Sequence, residues 1–99
     1  MLARPELDEA GKILISAADH IEKHGWWCKK HGANKGIKAC LMTSIWFSSN
    51  SNEAIKAADR VTHYLGFKNR AEAVQWNDAP ERTKKQVVSA LREAAYFRD

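Results

Sequence analysis

The stretch PELDEAGKILISAADHIEKHG, residues 5–25, decides the fold. Within it Leu7, Ala10, Leu14, Ala17 and Ile21 recur at alternating spacings of three and four residues, and Ile13 and Ala18 widen the stripe. A helix of about 3.6 residues per turn gathers such positions on one side, so the segment reads as an amphipathic helix with a core-facing stripe. Its ends are marked too. Pro5 suits a first turn, and Glu6, Asp8 and Glu9 lie where the helix dipole favours negative charge. Lys23 and His24 lie where it favours positive charge, and Gly25 is a stop signal. A helix over residues 5–24 is expected.

Outward from this helix, Gly25 to Gly36 reads as an irregular connection with three glycines. Ile37, Cys40, Leu41, Ser44 and Ile45 then resume a helical period, predicting a second helix over 37–48. Ala39, Met42, Trp46 and Phe47 occupy its other faces, so this helix should be buried on most sides. Ser49-Asn50-Ser51-Asn52 is a run of turn and cap formers, with Asn50 and Glu53 at capping-box spacing. Ala54, Ala57, Ala58, Val61 and Leu65 give a third helix over 52–65, stopped by Gly66. Asn69 and Glu72 can cap a short helix over 70–76, and Thr83 with Gln86 a last one over 84–97 that carries Val87, Val88, Leu91, Ala94 and Ala95. No segment shows a sustained two-residue alternation. The expected fold is all-α, a compact single-domain bundle of four main helices plus one short helix.

A chain of 99 residues has the length of one domain. No apolar run approaches the roughly 18 residues that span a bilayer. The start, Met1 to Glu6, lacks the basic and apolar regions of an export signal, so the expected compartment is the cytoplasm, with Cys28 and Cys40 as reduced thiols. The net charge of +4 is unevenly placed. Lys23, Lys29, Lys30, Lys35 and Lys38 fall in a segment, 23–52, that has no acidic residue, so the excess positive charge belongs to it alone. The same segment holds His24, His31, Trp26, Trp27 and Trp46.

Trp76-Asn77-Asp78, then Arg82-Thr83, then Val87 and Leu91, resemble a family of small uncharacterised proteins of actinobacteria and their phages. Its pattern is W-N-D-x-x-x-R-T before an apolar helix. The resemblance extends upstream to Gly25-Trp26 and to Cys40, although Leu41-Met42-Thr43 replace the small residues that often follow that cysteine. It implies a helical fold and, for a phage-borne chain, action in the host cytoplasm. It implies no activity.

The signature residues invite two readings. Asp78 and Arg82 could hold a polar substrate while Asn77 supplies amide hydrogen bonds. Alternatively, Asp78 caps the turn at Pro80 or pairs with Arg82, Thr83 caps the last helix and Trp76 anchors the junction against the first helix. Capping and packing account for every residue type, so the architectural reading is preferred. His24, Cys28, His31 and Cys40 have metal-ligand chemistry, but not the paired short spacings of structural zinc sites. No metal or cofactor is expected. Cys28 with His31 lacks the orienting group and oxyanion donors that nucleophilic catalysis needs, so an enzyme is disfavoured. Lysines interleaved with tryptophans suit single-stranded nucleic acid, unless Trp26, Trp27 and Trp46 are core and the lysines merely solvate a loop. A helix-turn-helix over Ala57 to Trp76 matches only in part, because Glu72 stands where an apolar residue should point inward.

The leading expectation is a non-enzymatic helical interaction module for a protein partner, a host factor if the chain is phage-borne. Lys29, Lys30, His31, Lys35, Lys38 and Trp27 would make the contacts. The alternative is a nucleic-acid-binding accessory protein using segment 23–52, and an enzyme or zinc domain comes third. A homodimer is compatible with the heptad spacing of the first helix and the small-residue stripe of the third.

Overall fold

Asp8 caps the start of the first helix, and Pro5 lies outside the described residues. The computed structural model describes residues 6–29 and 38–98. Helix α1 spans Glu9–His24, and the Asp8 carboxylate accepts from Gly11 N at 2.8 Å, which satisfies an N–H that the first turn leaves free. The same carboxylate receives both terminal nitrogens of Arg60, one at 2.7 Å. The Arg60 hydrogen bond, helped by the Gly11 N–H and the Arg98 charge, holds the Asp8 carboxyl well below the usual carboxylate range. Cap and ion pair together place the helix start later than the expected residue 5.

Helix α1 is the central element. It packs against α2 (Leu41–Ser48), α3 (Asn52–Tyr64) and α5 (Lys84–Ala94), burying Ala10, Gly11, Leu14, Ala17, Ala18 and Ile21. This stripe is the one its spacing predicts. Gly11 is required by close approach: a Cβ there would lie 2.7 Å from the Ala95 carbonyl oxygen. Small residues on α3, namely Ala54, Ala57 and Ala58 with Val61, complete the contact from the other side.

The second helix starts at Leu41 rather than 37. Cys40 is its N-cap: the sulfur accepts from Thr43 N at 3.4 Å, while Cys40 N donates to Thr43 Oγ1 at 2.8 Å. Only Leu41, Met42, Ser44 and Ile45 of this helix are buried, so it is not enclosed on most sides. In α3 the N-cap is Ser51 and makes no side-chain cap bond; its hydroxyl pairs with that of Ser49 at 2.8 Å. The expected Asn50–Glu53 box is replaced by this pairing, and Glu53 turns to Lys56 at 3.1 Å.

Helix α4, Arg70–Asn77, is capped by Asn69, as expected. Thr83 and Gln86 form the full capping box of α5, which stops at Ala94 rather than 97, with Ala95 in the C-cap position. Helices α2 and α4 both have eight residues. The class is all-α. Among the described residues no helix is long and apolar enough to cross a membrane. Because α4 packs on both α2 and α3, its C-terminal end reaches the start of α2, where the candidate site forms.

Candidate functional site

Asn77, the last residue of α4, is fully buried although polar. Its Oδ1 accepts from the Trp26 indole Nε1 at 2.8 Å and from Leu41 N at 3.0 Å. Its Nδ2 donates to the Trp27 carbonyl at 3.3 Å and to Asp78 Oδ1 at 3.1 Å. A carboxamide has two acceptor sites and two N–H donors, so the whole hydrogen-bonding capacity of Asn77 is used inside the protein. Leu41 N is also one of the N–H groups that the first turn of α2 leaves open, so Asn77 caps a helix that is distant in sequence.

Asp78 continues the clamp, its Oδ1 accepting from Lys29 N at 3.0 Å. That replaces the expected cap at Pro80 or pairing with Arg82 as the use of this carboxylate. Strand-like pairing closes the connection from the other side: Trp26 and Ala39 form a parallel bridge, with Trp27 N on Ala39 O at 3.0 Å and Ala39 N on Gly25 O at 3.1 Å. Gly25 has φ of 106°, a conformation that disfavours side chains, and a Cβ there would meet the aliphatic stem of Lys38 at 3.0 Å. Residues 25–29 and 38–41 thus form a stem held by Asn77 and Asp78. Lys29 and Lys38 are exposed at its two ends. Of the other expected contact residues, Trp27 is half-buried in the stem, whereas Lys30, His31 and Lys35 lie outside the described residues.

The rest of the signature builds the α4–α5 junction. The Arg82 guanidinium lies 4.0 Å from the centroid of the Trp76 ring, and Arg82 Nε donates to the Trp76 carbonyl at 2.8 Å. Gln86 Oε1 accepts from Arg82 at 3.3 Å and from Thr83 N at 3.0 Å, which couples this stack to the α5 cap. Trp76 therefore stacks on Arg82, packs against the core and borders an open groove of about 480 Å³ with Tyr64, Leu65 and Ala90. In that groove Tyr64 donates to Glu93 at 3.3 Å; burial, then the Glu93 charge, pushes its phenol up.

The family of unknown function DUF6197 matches residues 5–97. The chain belongs to this family. No curated protein and no solved structure matches it.

In this DUF6197 chain the cysteines have structural surroundings. Cys28 is fully buried in the core, and Cys40 is the buried cap of α2. His24 lies 4.7 Å, ring to ring, from His20. Among the described residues no group of three or more His, Cys, Asp or Glu is placed to hold a metal, and the fourth candidate ligand, His31, lies outside them.

Three large hydrophobic residues stand at the surface. Phe47 is 57% exposed, Ile55 44% and Trp46 39%. Trp46 and Ile55 border a cleft of about 410 Å³ with Ser49, Asn50, Ser51, Asn52 and Arg70, and Phe47 stacks on His20 at 4.9 Å. A signal existed. Thr43 shares its helical face with Trp46 and Phe47, and Ile55 stands off the stripe of Ala54, Ala57, Ala58 and Val61. Trp26 is core, as the plain explanation of the tryptophans expects, but Trp46 is not.

Proposed function

We propose that this chain is a non-enzymatic interaction module that binds a protein partner through the surface between Gly25 and Lys38. One observation carries the reading. The two ends of that connection are held by a fully buried amide with all four hydrogen bonds made, while the Lys29 and Lys38 side chains face solvent. A binding loop needs such a rigid base, since an unsupported loop loses conformational entropy on docking. The lysine-rich, acid-free composition favours a partner with an acidic face. The architectural use of Asn77 and the burial of Cys28 favour binding over catalysis, because neither is available to a substrate. If the kinship with phage proteins holds, the partner is a host protein in the host cytoplasm.

The test is affinity purification from native lysate, followed by replacement of Lys29, Lys30, Lys35 and Lys38 with alanine. The expected result is a specific partner whose affinity falls at least about tenfold. Recovery of none, or an unchanged affinity, refutes the proposal.

A second reading, nucleic-acid binding by segment 23–52, is favoured by the exposed Trp46 ring, which could stack on a base. Phosphate neutralisation makes such affinity fall steeply with salt, so failure to bind DNA or RNA even at low ionic strength rules it out.

A further inference from the structure

We infer that the groove between α3, α4 and α5 binds a small ligand with unlike ends, an aminopurine nucleoside monophosphate, its phosphate at Lys85 and Arg82 and its base amine at Glu93. The groove follows from how the helices pack. Helix α4 rests on α2 and α3, and α5 on α1 and α3, which leaves a space between α4 and α5 that the Arg82–Trp76 stack bridges. Its volume of about 480 Å³ falls within the range of small-molecule sites, roughly 300–1,000 Å³.

The walls sort by chemistry along its length. On α5, Lys85, Ser89 and Glu93 follow one another at four-residue steps, which puts them on one side of the helix over about 12 Å. Arg82 adds its charge to the groove, and its bonds to the Trp76 carbonyl and to Gln86 fix the guanidinium in place. Glu81, 4.0 Å from that guanidinium, is not part of the lining. At the far end of the Lys85–Ser89–Glu93 row, Glu93 Oε2 accepts from the Tyr64 hydroxyl. The pushed-up phenol keeps its proton at neutral pH and so stays a donor, which leaves Glu93 Oε1 for a second one. Among the described residues the Lys85 ammonium and the Ser89 hydroxyl have no partner, so both can donate to phosphate oxygens. Lys85 thus attracts an anion and Glu93 a donor. The helix dipole favours the reverse order, acid in the first turn and base in the last, so the folding of α5 does not select this polarity. Between the charges, Trp76, Leu65 and Ala90 offer apolar surface to a ring. A simple aromatic acid would leave Glu93 without a donor. A nucleotide with an amino base answers the cations, the apolar wall and the carboxylate together.

The groove shares no element with the 25–38 connection, so this inference and the proposed partner fail separately. Adenosine monophosphate titrated into the isotope-labelled chain should give saturable amide shifts at Trp76, Ser89 and Glu93, with a dissociation constant below about 1 mM. Adenosine, which lacks the phosphate, and inosine monophosphate, which lacks the amine, should each bind at least about tenfold more weakly. Lys85→Glu should abolish the preference for adenosine monophosphate over adenosine, and Glu93→Ala the preference over inosine monophosphate, with the thermal melt of both chains in place. Lys29→Glu with Lys38→Glu should leave the affinity unchanged. The inference is overturned by the absence of saturation to about 1 mM, by shifts confined to residues 25–29 and 38–41, or by equal binding of the three probes. Discrimination that survives in folded Lys85→Glu and Glu93→Ala chains overturns it as well.

Discussion

Trp26 and Trp46 lie in the same acid-free segment and have opposite fates. The Trp26 ring is in the core and its indole N–H ends on Asn77 at 2.8 Å, whereas Trp46 stands on the outer face of α2 beside an open cleft. A buried indole needs an acceptor, and this chain supplies one from a residue 51 positions away. An exposed indole can be served by water, so Trp46 makes no such demand on the fold. The stem around Trp26 is thus set by internal satisfaction, and the face around Trp46 by what it leaves unused.

The hardest test of that contrast is Asn77→Ala. It deprives the Trp26 indole N–H and Leu41 N of their common acceptor, and an unsatisfied buried donor costs about 1–3 kcal/mol. A loss of roughly 2–4 kcal/mol is expected in chemical denaturation. A loss below about 1 kcal/mol would mean that water serves the stem as well as Asn77 does. Trp26→Phe probes the same bond from the other side, keeping an aromatic ring and removing one donor. It should cost roughly 1–2 kcal/mol.

Legibility in the sequence follows the range of the forces involved. The core stripe of α1, the Asn69 and Thr83 caps and the all-helical class were readable, because each depends on residues within a turn or two of each other. Helix starts fall later than the apolar spacing implies wherever a nearby side chain takes over the cap, as Asp8 does for α1 and Cys40 for α2. The signature was recognisable as architectural, but its targets were not. Asn77 acts on Trp26, Trp27 and Leu41, and Asp78 on Lys29, across separations that no periodicity encodes. The exposure of Trp46 is legible only in the direction of its helical face, where Thr43 is the mark of an outward side.

Thr83→Ala removes a cap hydrogen bond at the junction that carries the clamp, and should cost about 1 kcal/mol. Unchanged stability within error would separate the signature's threonine from its architecture. A smaller effect is expected from acid. Asp8 titrates below its ordinary value of 3.8 because Arg60 and Gly11 N bind its charged form. Its contribution is therefore fully present above that value and is lost as the pH falls below it. Asp8→Asn should flatten the acid limb of the stability curve. An identical limb in both chains would place the acid sensitivity in other carboxylates.

The smallest expected effect is the sharpest for the comparison. Trp46→Phe, measured at a concentration where the chain is monomeric, should change stability by no more than about 0.5 kcal/mol, because an exposed ring loses little burial and no internal hydrogen bond. The same substitution at Trp26 breaks a bond to a buried amide, so the pair differs in burial and polar satisfaction while the side-chain change is constant. A cost at position 46 equal to that at position 26 would mean that the α2–α3 face is already packed within the monomer. It would then leave that face without a free apolar surface.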